Sequence, residues 1–315
     1  MVWCYSDSKI LQIYYGTFGE AVELPARFAV LKETLNVATL KEIDLKTAIK
    51  HAKIVLIKRG TALGDILILS AVVQQIKRHR QKFLLACQKR HLDSGIPQLL
   101  GIWDGFLTID NVTNVKKYDI GIDFDRVFEL DHHSEKYQKI ARVKLAMDAL
   151  HSSRSPEWDI NKHYTKNKTV IIQTSGSFPQ KELPSETLQA IIQMVKDMGY
   201  TPLCVGRNER VKRGSDYFDL IGTASFIITM DSSPLWISHY TKTRTILILG
   251  PTAEEQRLTY HPLYPRYAKA VKLYEKVNCQ PCHEQLGACN GRISCLKVDK
   301  DYVVSEIKKI IQGWK

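Results

Sequence analysis

The chain is 315 residues long and 44% hydrophobic, enough to bury a core in one large domain or two ordinary ones, and no apolar run approaches the roughly 18 residues of a membrane span. Its net charge of +12 suits nucleic acid, an anionic membrane surface or a phosphorylated small molecule, and the sign alone does not choose among them. The N-terminus MVWCYSDSKI lacks the basic-then-apolar layout of a secretory signal, and seven cysteines, an odd number, do not read as a secreted disulfide framework, so a soluble cytoplasmic chain is expected.

In chain order, residues 1–50 form an N-terminal extension in which ILQIYYGTF reads as a strand or hairpin and LPARFAVLKETL as a helix, without a defined architecture. From residue 51 short apolar strands alternate with amphipathic helices, the pattern of parallel α/β layering. IVLIK (54–58), FLLAC (83–87), FLTID (106–110) and YDIGIDF (118–124) are the strands of a first unit, residues 51–160. Ile66, Leu69, Val73 and Ile76 recur at helical spacing and predict a helix over 65–79. The basic stretch HSSRSPEWDINKHYTKNK (151–168) breaks the periodicity and reads as an interdomain linker. A second unit, residues 161–300, has TVIIQTSG (169–176), TPLCVG (201–206), FIITM (226–230) and TILILG (245–250) as strands, with a helix that starts at Pro184 and stops at Gly199. DYVVSEIKKIIQGW, with Val304, Ile307 and Ile311 on one face, closes the chain (301–315) as a packed helix. The basic clusters KRHRQK (77–82) and RNERVKR (207–213) read as solvated helix faces and loop ends.

The strand-end loops hold the candidate chemistry, because ligands of open α/β sheets bind beyond the carboxyl ends of the strands. In IVLIKRGTALGDILIL the turn from Gly60 to Asp65 is such a place, the alternative being a tight turn with Asp65 as helix cap. After TVIIQ, the hydroxyls of Thr174 and Ser175, the permissive Gly176 and Lys181 make a phosphate cradle or a polar surface loop. After FIITM, Asp231, Ser232 and Ser233 precede Pro234; they present amides and hydroxyls to an anion, with Asp231 able to hold a sugar or ribose hydroxyl, or they cap the helix. Gly250, Pro251 and Thr252 end the next strand in a loop able to meet a phosphate or nucleoside.

CQPCHEQLGACNGRISC is the strongest local pattern, with Cys279, Cys282, Cys289 and Cys295 spaced C-x2-C-x6-C-x5-C. Four thiolates in a short loop can surround one tetrahedral zinc or iron ion; a closed four-sulfur site leaves no open position and would staple a loop. Disulfides or an unoccupied cluster are the alternatives.

Taken together, RGTALGDILILSAVVQQIKRH, VIIQTSGSFPQKELPSETLQAII, DLIGTASFIITMDSSPLWISH with TILILGPT, and the cysteine cluster resemble, in order and over roughly residues 54–312, glycosyltransferase family 9, the family of the ADP-heptose heptosyltransferases of lipopolysaccharide biosynthesis. The resemblance implies a GT-B architecture: two Rossmann-like domains with parallel sheets facing a cleft, the acceptor on the first and the nucleotide sugar mainly on the second. It implies that Asp65 is the general base, that Thr61 and Gly64 lie in the acceptor loop, and that Lys181, beside Thr174 and Ser175, meets the donor diphosphate. Asp231 falls on the aspartate of the family's D-S-G-P-x-H motif, with Ser233 where glycine is usual and Trp236 where histidine is. That tryptophan is similar to the autotransporter heptosyltransferase branch, which carries a cysteine-bound metal and glycosylates protein hydroxyls.

Chemistry agrees with this reading. Sugar transfer from a nucleotide diphosphate needs a base for the acceptor hydroxyl and positive charge with helix-end dipoles for the leaving group. No D-x-D occurs in a comparable loop, so no catalytic metal is expected, and a single carboxylate in line with the anomeric carbon gives inversion. The expected partners are an ADP-heptose-like donor and a glycan, lipid-linked or protein acceptor, with an anionic inner-membrane surface, nucleic acid or further copies of the chain as further contacts. Two other readings are a GT-B glycosyltransferase acting on nucleic acid and a catalytically degenerate, metal-stapled protein that binds a glycan or nucleotide.

Overall fold

A computed structural model of the chain describes residues 11–14, 21–24, 49–60, 62–109, 118–125, 128, 141–150, 152–173, 182–206, 214–276 and 294–314. It divides into two compact units, Met1–His133 with Arg142–Glu157 and Ser134–Ala141 with Trp158–Lys315. Residues 1–50 contribute one described antiparallel hairpin, β1 (Leu11–Tyr14) with β2 (Ala21–Leu24); of the helix expected over LPARFAVLKETL, Leu24 ends β2 and the rest lies outside the described residues.

The first unit carries a parallel sheet of β3 (Ile54–Lys58), β4 (Lys82–Cys87), β5 (Gly105–Thr108) and β6 (Ile120–Asp123), in the order β5-β4-β3-β6. Val55, Leu56 and Ile57 are all buried, as the unbroken apolar run requires of a strand covered on both faces. The two inner strands β3 and β4 are started by a neighbouring acid: Asp119 accepts from the backbone of Lys53 (2.6 Å) and Ile54 (2.9 Å), and Asp104 from that of Phe83 (2.8 Å). Helix α1 (Leu63–Ile76) begins two residues before the expected start, and instead of one apolar stripe it buries every residue from Asp65 to Val73. Its covering comes from α4 (Arg142–Ala149), reached after the short helices α2 (Lys89–Asp93) and α3 (Ile96–Leu99), and from the segment ending in Glu157, whose amide donates to Ala71 O at 3.2 Å. At the end of β4, burial pushes the Cys87 thiol up to about 12, which makes it an inert core residue.

The second unit carries β7 (Thr169–Gln173), β8 (Thr201–Val205), β9 (Phe226–Thr229), β10 (Arg244–Leu249) and β11 (Ala268–Lys272), all parallel, in the order β11-β10-β9-β7-β8. Between them run α5 (Ser185–Asp197), α6 (Gly214–Thr223), α7 (Ser233–Thr241) and α8 (Glu254–Leu258); α9 (Leu273–Lys276) follows β11. Helix α5 follows Pro184 and terminates at Gly199, whose φ of 80° only glycine adopts without strain. The closing helix α10 (Lys300–Gln312) is capped by Asp299, which accepts from the Asp301 amide at 2.6 Å, and packs on α5. It buries Val303, Ile307 and Ile311, so the inward face starts one residue before the expected Val304.

The stretch expected as a linker is built into the second unit from Trp158 onward. Trp158 is buried against Trp236, His239 and Tyr240. Lys166 Nζ donates to Gly222 O at the end of α6 (2.6 Å) and to Thr243 Oγ1 (2.9 Å). Most of its polar residues are exposed, and the buried Trp158 with the Lys166 contacts is what fixes the stretch to the second unit.

Candidate functional site

In the first unit the turn between β3 and α1 gathers charge. Asp65 lies in the first turn of α1, behind Ala62 at the N-cap, and no side chain caps the helix, so the cap alternative is not what the chain adopts. Its side chain, 4% exposed, is gripped by two guanidinium groups. Arg59, which follows β3, donates to Oδ2 from Nε (3.0 Å) and Nη2 (2.5 Å); Arg142, opening α4, donates from Nε to Oδ1 (2.6 Å) and from Nη2 to Oδ2 (3.1 Å).

Arg59 also reaches Asp125, just beyond β6, through Nη1 to Oδ1 at 2.7 Å, and the Gly60 amide donates to the same oxygen at 2.7 Å. Lys58 stands 3.5 Å from the other oxygen of Asp125. Both guanidinium groups lie over the Phe128 ring, Arg59 at 5.3 Å and Arg142 at 4.9 Å from its centroid. A Cβ at Gly60 would stand 3.0 Å from Asp125 Oδ2 and 3.1 Å from Ile109 Cδ1, so both side chains would have to give by a few tenths of an ångström. Burial alone would raise the Asp65 carboxyl, but the charges of Arg142 and Arg59 and their hydrogen bonds outweigh it and hold the group well below the usual carboxylate range.

Asp65 is therefore a permanently ionised and oriented carboxylate. Held this way it is oriented by both guanidinium groups and is a weaker proton acceptor than a free carboxylate. The expectation did not include Arg59, Asp125, Phe128 and Arg142; only Arg59, beside the Gly-rich turn, left a local signal, since the other three are brought in by topology. Gly64 is half-buried in the first turn of α1, and Thr61 lies outside the described residues.

In the second unit Thr174, Ser175 and Lys181 lie outside the described residues, and Gln173, which ends β7, is the organising residue that sequence reading missed. Its Oε1 accepts from Thr229 Oγ1, from the Met230 amide (3.1 Å) and from Ser232 Oγ (2.8 Å), tying the end of β7 to the loop after β9. Ser232 is the N-cap of α7 but spends its hydroxyl on Gln173, not on the helix, and Ser233 is half-buried as the first helical residue. Asp231 is buried and paired with Arg257 of α8, Nε to Oδ2 at 2.7 Å. Gly250, Pro251 and Thr252 follow β10 and are buried; Thr252 Oγ1 has no hydrogen-bond partner among the described residues. The structure thus brings Asp231, Ser232 and Gln173 together at adjoining strand ends. Trp236, at the position of the family histidine, is 3% exposed and stacked beneath Trp158, so it is scaffold.

Of the four cysteines, Cys279, Cys282 and Cys289 lie outside the described residues. Cys295 is a buried thiol in the 3-10 turn Ser294–Lys297. No group of three metal-binding side chains occurs among the described residues, and no helix there is long and apolar enough to cross a membrane.

The sequence matches no protein-family model and no curated protein. Solved structures do match. The iron-containing dodecameric glycosyltransferase TibC from enterotoxigenic E. coli aligns over 97% of this chain and 83% of its own at TM-score 0.59 and 14% identity. A glycosyl transferase family 9 protein from Veillonella parvula aligns over 82% of this chain and 97% of its own, at TM-score 0.55 and 8% identity. The E. coli heptosyltransferase WaaC with ADP aligns over 82% and 98%, at TM-score 0.51 and 12% identity. The chain therefore has the α/β fold of the heptosyltransferase-like GT-B glycosyltransferases, as the strand-end motifs imply.

Proposed function

We propose that this chain is a glycosyltransferase that moves a sugar, a heptose in the first instance, from an ADP-heptose-like donor to an acceptor hydroxyl with inversion. The observation that carries the reading is an ionised carboxylate, Asp65, fixed by two guanidinium groups at the end of a central strand, in a fold shared with heptosyltransferases one of which was solved with ADP.

Asp65 takes the acceptor proton as the acceptor oxygen attacks the anomeric carbon, and the departing diphosphate is met by the strand-end loops of the second unit. Thr174, Ser175 and Lys181 bind its phosphates, Gly250, Pro251 and Thr252 line the nucleoside, and Asp231, paired with Arg257, takes a sugar hydroxyl with Ser232 and Ser233 beside it. A structural zinc or iron on Cys279, Cys282, Cys289 and Cys295 belongs to the same reading: the donor set is four thiols at metal-binding spacing. Elemental analysis finding about one ion per chain supports it, and far less than one removes it. Incubation with a panel of nucleotide sugars, followed by assay of free nucleoside diphosphate, tests the activity: release from ADP-heptose above that from the other donors is expected.

A second reading has a specific observation in its favour. Both oxygens of Asp65 already accept hydrogen bonds, so the chain as it stands also fits a silent protein that binds the nucleotide without turnover. ADP binding with no release of ADP from any nucleotide sugar selects that reading.

A further inference from the structure

We propose that the amino-terminal edge of the first sheet is a docking surface for an anionic lipid bilayer, built from Lys50, Lys53, Arg78, Arg80 and Lys82. The basic cluster KRHRQK (77–82) does not stand alone: the fold joins it to a second basic stretch, KHAK (50–53), that is distant in the chain. The join is Gln81, a buried side chain whose amide donates to Ile49 O (2.6 Å) and Ala52 O (3.0 Å), and beside it the Lys82 backbone amide donates to Lys53 O at 2.8 Å. All five cationic residues are exposed, and so are His51 and His79 among them.

The charge gathered here is uncompensated. Asp104 and Asp119 stand at this end of the sheet, and both are occupied: Asp119 by the backbone amides of Lys53 and Ile54, Asp104 by the Phe83 amide and by Lys77 Nζ at 2.8 Å. None of the five cations forms an ion pair with a described residue. Arg80 adds a second, independent observation. The turn closed by the Gln81 amide on Arg78 O (3.0 Å) holds Arg80 at φ 68°, a conformation that favours glycine or asparagine. The chain keeps a long cation there at a cost in backbone strain, as functional surfaces do.

The make-up of the surface selects its partner. Neither stretch contains Phe, Tyr or Trp on which an unpaired base could stack, and the cations come from the ends of elements and one turn, not from one helix or ribbon able to lie in a duplex groove. A compact cluster of about four to eight lysines and arginines is what the negative headgroups of a bilayer attract. Lys53 precedes β3 and Arg59 follows it, so the surface and the candidate site lie at opposite ends of one strand, about 20 Å apart. Docking therefore leaves Asp65 untouched, and the inference does not rest on the sugar-transfer reading.

The test is co-sedimentation of the full chain with vesicles of phosphatidylethanolamine and phosphatidylglycerol, against vesicles of phosphatidylcholine, at about 0.1 M and about 0.5 M salt. Binding to the anionic vesicles alone is expected, and its loss at the higher salt. Arg80→Asn, which suits the turn and removes the charge, should weaken binding about fivefold without lowering the urea midpoint of unfolding, and Arg78→Gln, Arg80→Asn and Lys82→Gln together about a hundredfold. Lys50→Gln with Lys53→Gln, on the other stretch, should weaken it about thirtyfold and serves as the test if the triple variant does not fold. No binding to the anionic vesicles, binding that survives the higher salt, or equal binding by the wild type and the folded variants overturns the proposal. Tighter binding to duplex DNA or to RNA than to the vesicles overturns it as well, by assigning the surface to nucleic acid.

Discussion

Trp158 stacks on Trp236 with ring centroids 6.3 Å apart and planes 20° apart, and His239 fills the space against both, 4.6 Å and 4.9 Å from their centroids. A segment that looks like tether from its composition is thus keyed into helix α7, whose N-terminus presents Ser232 and Ser233. Trp158→Ala is expected to destabilise the second unit by about 3–5 kcal/mol, as for other buried aromatic truncations. Urea unfolding measures it; an effect under 1 kcal/mol would mean that the stack is incidental.

The same cluster makes stability depend on pH. His239 is fully buried with Nδ1 donating to Leu235 O (2.9 Å), and burial lowers it to about 3; His261, 4.3 Å away, is lowered well below its usual value by burial and by His239. Both are neutral in the folded chain, while the unfolded chain protonates them near pH 6.5, so their contribution is full above that pH and is lost as pH falls. At pH 5 the loss is about 2 kcal/mol from His239 and up to twice that for the pair. The urea midpoint should fall between pH 7 and 5, and His239→Leu should flatten that slope. Asp65 adds a separate loss in the same direction only below about pH 4, because its folded carboxyl is held low.

Gly222 lies under the Tyr164 ring, where an added Cβ would come within 2.5 Å of three ring carbons. Gly222→Ala is expected to cost about 1–3 kcal/mol by overpacking, and Tyr164→Ala in the same chain should recover part of it. Additive costs in that double-mutant cycle would show that the two positions do not meet.

Gln173→Met removes the acceptor shared by Thr229, Met230 and Ser232. Leaving the Met230 amide and the Ser232 hydroxyl without their acceptor, while Thr229 Oγ1 keeps Met230 O at 2.9 Å, should cost about 1–3 kcal/mol and loosen the loop proposed to hold the donor. Titration calorimetry with ADP is expected to show weaker binding; unchanged affinity would place that loop outside the donor site.

Much of this architecture is legible in the residues. The runs IVLIK and TILILG fall in strands buried on both faces, although Ile66–Leu69, equally apolar, is helical, and Gly199 marks a helix end because its conformation disfavours other side chains. Strand β11 is not legible, since AKAVK is an edge strand whose two lysines break the apolar run; Lys272 pairs with Glu254 at 3.1 Å. At the candidate site the sequence points to Asp65 and Asp231 but not to the arginines that pair with them. Arg142 is 77 positions from Asp65, and only the closing of the first unit brings the two together. The sequence therefore locates the acids but says nothing of their basicity, which their partners determine.

The most direct measurement is the rate of ADP release from ADP-heptose by the wild type and by Asp65→Asn, with ADP binding followed in parallel. The account predicts release by the wild type, a loss of about a hundredfold or more in Asp65→Asn, and ADP affinity equal in the two, since removal of a general base costs about that much. Equal release by both proteins would contradict it.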